Sequence, residues 1–385
     1  METEDQVVLK SKIKKEYNSE ELPNQKFEIS QSLIYIVIGI FLFIIFIINI
    51  IKLSNKQKTS PISNSNLGNS LTIREIEDIQ LFDRNKLEKL KKEQIDFCNN
   101  PQQSNIKEYE EQITIANISL LSQLFNMYVY KYDDVISTEI LNNQNWEGDK
   151  TNNLLTALLY YSALLNVNAQ DIYVLDIGAK IGWYSLFIAK YGYNIISFEP
   201  SEINNYILKK SLCINKELNI TLIKKGLYSD EGKCDFYITK GNVGDGWIFC
   251  DKNTILPDNL IKSGEVIVTK LDNYIQFLTQ NKLGLININI EGLEEKALES
   301  GITIMSKYHV PFIYMNFDPR ALQVHGTDPK IFLKRFLKFG YKFARYNFFD
   351  NDFLSIDEIL GRTNDGSHMN LYIVHTKIIK KYNNS

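Results

Sequence analysis

Four residues in one central stretch have the types and spacing of a nucleotide-type cofactor site. Asp176 and Gly178 end an apolar run, Gly182 closes the turn that follows, and Glu199 ends a second apolar run. Glycines let a backbone come close to a ligand, and an acid after the second strand can accept hydrogen bonds from a ribose diol. Asp176 and Glu199 are 23 positions apart, close to the spacing of about 20 that is typical of a ribose-binding acid. The stretch therefore predicts a strand, a glycine turn, a helix, a second strand and an acid.

The segments that must position these residues alternate between strands and helices. Apolar runs predict strands at 172–177, 194–198, 220–224, 283–290 and 312–317, with helices at 153–165, 183–190, 202–215, 294–300 and 329–339. Two further strand-like segments lie at 234–239 and 266–270, and closing strands lie at 341–345 and 370–375. This order predicts an α/β fold with a doubly wound sheet that is mostly parallel and closes with antiparallel strands.

Composition excludes some classes of function. The formal net charge of −3 gives no reason to expect nucleic acid as a partner. The four cysteines and four histidines form no CxxC pair and no metal-ligand spacing, so no metal site is predicted. The cysteines are either reduced core residues or disulfide-bonded in an oxidising compartment, and their spacing leaves both open.

The N-terminal part divides by composition. Residues 1–31 are polar and predict a solvated tail, and 32–52 contain an apolar run long enough to cross a bilayer. A buried core helix is the alternative for that run, but both flanks are polar, so we expect a single membrane anchor. Residues 53–105 predict a flexible linker and a stem helix at 72–97, which could support self-association. The globular domain is expected over 106–385.

The membrane orientation is read from weaker signals. Lysines flank the predicted span on both sides, so the positive-inside rule decides little. A short tail before a large C-terminal part favours a single-pass protein of the endoplasmic reticulum or Golgi with the catalytic domain in the lumen. Asn117 and Asn219 begin Asn-x-Ser/Thr sequons that permit glycosylation there, although such sequons also arise by chance in an Asn-rich chain.

The central motifs resemble those of the FkbM family of S-adenosylmethionine-dependent methyltransferases. The resemblance rests on the stretches DIGAKIGWYSLFIAKYGYNIISFEPS, LININIEGLEEKALESG and PFIYMNFDP, and it extends over about 127–374. It implies a Rossmann-like fold, S-adenosylmethionine as cofactor, and methyl transfer to a hydroxyl oxygen of a small-molecule or glycan acceptor.

The resemblance also implies roles for individual residues. Gly178 and Gly182 would let the backbone meet the methionine moiety, Asp176 would orient that turn or hold the ammonium group, and Glu199 would bind the ribose. Lys180 could pair with the carboxylate of the methionine moiety, although a solvated turn lysine is the equal alternative. The adenine side is expected around 225–229.

The chain departs from the family pattern at four positions. Lys180 stands where the family has Asn, Asn287 and Asn289 replace Lys and Asp, and Asn316 stands where Glu is frequent. Asparagine keeps the size of aspartate but cannot take a proton.

These departures leave Glu291 as the best candidate for the base that takes the acceptor proton, with His325 as a second candidate. Glu291 has an alternative interpretation as an acid in the first turn of the helix at 294. Three functions follow from the sequence. The leading one is a membrane-anchored O-methyltransferase, and the alternative is a catalytically inactive binding or scaffold protein. A dehydrogenase is disfavoured because the turn lacks the full G-x-G-x-x-G pattern.

Overall fold

The computed structural model describes residues 73–100, 106–275, 278 and 282–382. All of them fall within one compact unit that extends over 66–385. The predicted tail, membrane anchor and linker lie outside the described residues. Within the described ranges, no helix has both the length and the apolar character needed to cross a membrane.

The main sheet has eight strands. In chain order they are β3 (Tyr173–Ile177), β4 (Asn194–Phe198), β5 (Ile220–Ile223), β10 (Leu283–Ile288), β11 (Phe312–Phe317), β12 (Tyr341–Ala344), β13 (Phe353–Leu354) and β14 (Met369–His375). Their spatial order is β13-β12-β14-β11-β10-β3-β4-β5. The five strands from β11 to β5 are parallel, and β14 pairs antiparallel with both β11 and β12. The predicted α/β sheet with antiparallel closing strands is confirmed.

The parallel strands are buried along nearly their whole length because helices cover both faces of the sheet. The helices are α1 (Ile73–Asn99), α2 (Ile106–Gln112), α3 (Val135–Asn143), α4 (Gly148–Leu165), α5 (Trp183–Ala189), α6 (Glu202–Cys213), α7 (Asp272–Ile275), α8 (Glu294–Glu299), α9 (Pro319–Val324), α10 (Pro329–Lys338), α11 (Ile356–Arg362) and α12 (Thr376–Tyr382). The strand order reverses between β3 and β10, and open α/β sheets bind ligands at such a switch point, beyond the carboxyl ends of the strands.

Two smaller sheets complete the fold. The hairpin of β1 (Ile113–Leu120) and β2 (Gln123–Tyr130) packs beside α6. A four-stranded sheet contains β6 (Gly226–Leu227), β7 (Gly232–Thr239), β8 (Asn242–Phe249) and β9 (Leu260–Thr269), in the order β6-β9-β7-β8. The segments predicted as strands at 234–239 and 266–270 both belong to this second sheet, whereas β8 was not predicted.

Two disulfides resolve the choice that cysteine spacing left open. Cys98 at the end of α1 is bonded to Cys213 at the end of α6, and Cys234 in β7 is bonded to Cys250 just after β8. The helix assigned to the stem is therefore covalently tied to the domain that follows it. α1 also packs on α6 and on β5, the edge strand of the main sheet.

Candidate active site

Two cavities meet beyond the carboxyl ends of β3 and β10. Each is lined by its own set of side chains, but they share one wall formed by Gly178, Lys180, Asn289 and Glu291. The two predicted regions of the site, the glycine turn and the strand end at 289–292, are therefore brought together as neighbours.

The smaller cavity lies on the β4 side of this wall. The end of β4 contributes Phe198, Glu199 and Pro200, and the segment after β5 contributes Lys225, Gly226 and Leu227. The hairpin of β7 and β8 closes the cavity with Phe236, Gly244, Gly246 and Ile248. Of the region predicted for the adenine side, 225–229, the first three residues line the cavity that contains the predicted ribose acid. As closed by the hairpin, its volume is about 30 Å³.

The larger cavity lies on the β11 side and has a volume of about 250 Å³. Its lining is polar and aromatic, and it draws on segments far apart in the chain. Besides the shared wall, it includes Trp146, Glu147, Lys150, Tyr184, Asn242, Asn287, Tyr314, Asn316 and His368.

The Glu199 carboxylate, just after β4, is fixed in place by three hydrogen bonds. One carboxylate oxygen accepts from the Lys180 backbone N–H at 2.9 Å, and the other accepts from the Ser201 N–H at 2.8 Å and the Asn204 Nδ2 at 3.3 Å. A carboxylate has about four lone-pair sites, so these three bonds leave capacity for a ligand hydroxyl. Burial raises the pKa of Glu199, and these hydrogen bonds oppose the shift.

Asp176 and the two glycines have mainly internal contacts. Asp176 is buried and accepts hydrogen bonds from Ser185 Oγ and from Asn287 Nδ2. A Cβ on Gly178 would lie 2.1 Å from the Asn289 carbonyl oxygen, and one on Gly182 would lie 2.3 Å from Leu208 Cδ1. Both glycines also have positive φ angles, so the turn requires them whatever it binds. Among the described residues that line the two cavities, Gly178 is included, whereas Asp176 and Gly182 are not.

Two residues of the shared wall, Lys180 and Glu291, form a charged cluster with the neighbouring Asp245. Lys180 Nζ lies 3.1 Å from Glu291 Oε1 and 3.1 Å from Asp245 Oδ1. Asp245 also accepts from Thr239 Oγ1 at 2.7 Å and from Trp247 Nε1 at 3.4 Å. Lys180 therefore is not a solvated turn lysine, and its ammonium already has two carboxylate partners.

The cluster holds one ammonium and two carboxylates, so one negative charge is in excess. Burial raises the pKa of Glu291; Lys180 opposes the shift, and Asp245 adds to it. Asp245 has the additional donors, and its pKa is lowered despite burial, mainly by Lys180. Of the two carboxylates, Glu291 therefore takes up a proton more readily, which is the property of a base that works near neutral pH.

The alternative interpretation of Glu291, as an acid that caps the next helix, is not what the contacts show. Leu293 is the N-cap residue of α8, and it is the buried Glu294 whose Oε1 accepts from the Ile290 N–H at 3.1 Å. The Glu291 side chain points to Lys180 instead. Its backbone has a φ of 52°, in the left-handed region that is unfavourable for glutamate.

His325 lies behind the charged cluster. It is the C-cap residue of α9, and its ring stacks on Phe249 and Trp247 with centroid separations of 5.0 and 6.2 Å. Burial lowers the pKa of His325 to about 4. Among the described residues that line the two cavities, His325 is not included, so the second predicted base is not brought to the site.

The substituted asparagines all line the larger cavity. Asn287 stands beside Asp176 on β3 and Tyr314 on β11, and its Nδ2 donates to Asp176 at 2.8 Å. That bond fixes the orientation of the amide, and Asn287 Oδ1 is left without a partner among the described atoms, as is Asn316 Oδ1. The family pattern has a lysine at 287 and an asparagine at 180. This chain has the reverse, and both side chains line the larger cavity.

Three polar residues at or beside the larger cavity, Glu147, Lys150 and Asp245, were not identified by the sequence analysis. Glu147 accepts from Tyr184 Oη and pairs with Lys150, and Asp245 completes the charged cluster. Glu147, Lys180 and Glu291 all have left-handed backbones, and such strained non-glycine residues tend to cluster at functional sites. The motifs had already identified Lys180 and Glu291, whereas backbone strain leaves no pattern in residue order that could have identified Glu147. Within the described ranges, no group of three or more potential metal ligands comes together.

Comparison with known proteins agrees with the motifs. Residues 176–357 match the family described as Methyltransferase FkbM domain. The search of curated proteins gave no match.

Several solved structures are distantly similar. One is the bifunctional kinase-methyltransferase WbdD, with 10% identity and a TM-score of 0.36 over 60% of this chain and 40% of that chain. Another is the T. thermophilus 16S rRNA N2 G1207 methyltransferase RsmC, in complex with AdoMet and guanosine, with 11% identity and a TM-score of 0.35 over 69% of this chain and 51% of that chain. The chain thus spans about two fifths of WbdD and half of RsmC, and at these TM-scores the likeness carries no argument about its site. The family match over 176–357 shows that this part of the chain is similar to the FkbM methyltransferase domain.

Proposed function

We propose that the chain is an S-adenosylmethionine-dependent methyltransferase that transfers a methyl group to a hydroxyl oxygen of a glycan or a related hydroxyl compound. The observation that carries this proposal is the shared wall of the two cavities. A transfer reaction needs donor and acceptor side by side, with the reacting atoms about 3 Å apart. Among the four residues of that wall, Glu291 supplies the carboxylate that could take the acceptor proton.

The residue types that line the smaller cavity are suited to S-adenosylmethionine, although the cavity is smaller than that cofactor. Glu199 retains acceptor capacity for a ribose, the Gly178 backbone borders the cavity, and Lys225 and Gly226 border its far end. Ligand pockets typically measure about 300 Å³ or more, so the hairpin of β7 and β8 must move outward when the cofactor binds. When bound, the cofactor supplies an electrophilic methyl group.

Glu291 would receive the proton that the acceptor hydroxyl loses. Its raised pKa lies nearer to neutral pH than that of an ordinary carboxyl, which favours proton transfer in both directions of the catalytic cycle. Lys180 holds this carboxylate in place, and Asp245 keeps its own negative charge beside it. The larger cavity would then orient the acceptor with its amide oxygens and aromatic rings.

We further propose that the domain acts in the lumen of the secretory pathway, anchored through residues 32–52. Two disulfides support this placement, because structural disulfides persist mainly in oxidising compartments. Asn117 and Asn219, the first residues of the two sequons, are both exposed. Digestion of the cellular protein with a glycosidase tests the placement: unchanged mobility would remove the support from the sequons.

An inactive binding protein is the second candidate function. The observations that favour it are the small volume of the cofactor cavity and the pairing of Glu291 with an ammonium group. Such a protein would keep the fold and bind a partner without turnover.

Titration of the full chain with S-adenosylmethionine, followed by calorimetry, separates the two candidates. We expect saturable binding at micromolar to millimolar ligand. Absence of heat at millimolar ligand would contradict the enzyme and leave the binding protein.

Glu291→Gln then tests the base. We expect it to retain cofactor binding and to lower turnover by about 10²- to 10⁴-fold, measured as transfer of a labelled methyl group to a panel of neutral saccharides. Turnover equal to that of the wild type would refute the assignment, and Glu217→Gln, which changes an exposed glutamate far from both cavities, is the matched control.

A further inference from the structure

A third cavity lies under α1, outside the site described above. Its volume is about 550 Å³, and its walls come from α1, α2, α6, the segment after β5, β9 and α7. It adjoins the smaller cavity at Pro200 and Lys225, which line both. Part of its wall therefore comes from helices that precede the FkbM domain.

The inner surface of this cavity contains a buried cation. Lys209 is only 9% exposed, and within the described ranges no carboxylate lies at salt-bridge distance from its ammonium group. The ammonium lies 4.9 Å from the centre of the Phe97 ring. Burial and, to a smaller extent, the nearby Lys224 lower the pKa of Lys209 to about 8, whereas Glu93 partly opposes the shift. Two neighbouring ammonium groups repel each other, and an anion between them would relieve the repulsion.

The cavity also contains an unpaired hydrogen-bond acceptor. Asn205 is 5% exposed, and its Nδ2 donates to the Glu199 carbonyl oxygen at 2.8 Å, which fixes the orientation of the amide. Asn205 Oδ1 is left without a partner among the described atoms. Because a buried acceptor without a donor costs free energy, this oxygen is suited to a ligand N–H or O–H group.

Aromatic rings form most of the remaining inner wall. Phe97, Tyr109, Tyr206 and Tyr274 line it, and the Tyr206 hydroxyl is already bonded to Glu110 Oε1 at 2.6 Å. The lining carboxylates Glu93, Glu202 and Glu265 are exposed, so they lie at the rim. The interior thus combines a buried cation, a free acceptor and flat apolar surfaces.

We propose that this cavity binds an organic phosphate: a phosphate group between Lys209 and Lys224, carried on a ring that contacts the aromatic side chains and donates a hydrogen bond to Asn205 Oδ1. A nucleotide and a sugar phosphate share this chemistry. The residues that hold the phosphate do not line the smaller cavity, which shares only Pro200 and Lys225 with this one, so both ligands bind at once.

The test is calorimetric titration of the full chain, saturated with S-adenosylhomocysteine, with adenosine 5′-monophosphate, glucose 1-phosphate and inorganic phosphate. We expect at least one of the two organic phosphates to bind at least tenfold more tightly than inorganic phosphate, and the tighter one identifies the ring. Absence of binding by both, or displacement of S-adenosylhomocysteine by them, would overturn the proposal.

Variants of the two buried residues test the contacts. Lys209→Met should lower the affinity for the organic phosphate at least tenfold. Asn205→Leu should reduce the ratio of the affinity for the organic phosphate to that for inorganic phosphate. Lys240→Met, which changes an exposed lysine in the turn between β7 and β8, should leave both affinities unchanged.

Urea unfolding without ligand distinguishes a binding lysine from a structural one. Replacing a buried, unpaired cation by an apolar side chain of similar length should leave stability equal or increased. A Lys209→Met protein that is clearly less stable than the wild type, or one that is stable and binds the phosphate normally, would contradict the assignment.

Discussion

The two cavities on either side of the shared wall are built in different ways. The smaller one is lined largely by consecutive strand ends and the glycine turn, so much of its lining is local in sequence. The larger one gathers side chains from α3, α4, α5, β8, β10, β11 and the loop before β14. In the proposed function, the cofactor would bind where much of the lining is local in sequence, and the acceptor where the lining comes from distant segments.

The largest effect on stability is expected from a substitution in the shared wall, because this wall belongs to both cavities. Lys180→Met would leave Glu291 and Asp245 as neighbouring, largely buried carboxylates without a cation. Breaking a buried ion pair from one side typically costs about 3–5 kcal/mol, and we expect a loss of that size in the free energy of unfolding in urea at pH 7.

A second substitution shows whether the loss of stability in Lys180→Met comes from the loss of its charge. Lys180→Met combined with Glu291→Gln removes one of the two carboxylate charges, and Asp245 keeps its bonds from Thr239 and Trp247. We expect the double variant to be more stable than Lys180→Met alone. If both variants were equally unstable, the loss would come from packing of the Lys180 side chain, not from its charge.

The next largest effect concerns the smaller cavity alone. Glu199→Ala removes the acceptor expected to hold the ribose, and hydrogen bonds to charged groups contribute about 1.5–3 kcal/mol each. We expect the affinity for S-adenosylmethionine to fall by at least about tenfold in calorimetry, since each 1.4 kcal/mol is a factor of about ten. Asn316→Ala, which alters the larger cavity, is the matched control and should leave cofactor affinity unchanged.

The contrast between local and distant segments also explains which parts of the fold and site could be predicted from the sequence. The strands predicted at 194–198 and 312–317 have those bounds in the structure, because buried parallel strands are continuous apolar runs with clear ends. Asp245 could not be found, since Gly244-Asp245-Gly246 has the composition of a turn although it lies within β8. Glu147 precedes the glycine turn by about thirty residues, and only the tertiary fold brings it to Tyr184.

A smaller, pH-dependent effect is expected at His325, behind the wall. Its pKa is lowered to about 4, so between pH 4 and 6.5 the unfolded chain binds a proton that the folded chain does not. Its contribution to stability is therefore complete above about pH 6.5 and is lost as the pH falls towards 4. His325→Phe keeps the stacked ring and removes this dependence.

The measurement is the difference in unfolding free energy between the wild type and His325→Phe. It should increase with pH by up to about 1.4 kcal/mol per pH unit across this interval. Parallel curves for the two proteins would show that His325 titrates normally. His375, whose pKa is also lowered to about 4, contributes a similar slope that cancels in this difference.

The smallest expected effect is at the rim of the larger cavity, where the hairpin meets the N-terminal part of the domain. Asn242 Oδ1 accepts from the Val135 N–H at 3.3 Å, and Val135 is the first residue of α3, whose own helix offers that N–H no acceptor. Asn242→Ala should lower the free energy of unfolding by at most about 1 kcal/mol, because the Val243 N–H still donates to the Asp133 carbonyl oxygen at 2.7 Å.

Hydrogen exchange should show faster exchange in the first turn of α3 and no change at the glycine turn. Thr156→Ala, which removes an exposed bond within α4, should leave the α3 amides unaffected. Equal protection of α3 in the wild type and Asn242→Ala would mean that the hairpin and this part of the larger cavity are held together by the backbone bond alone.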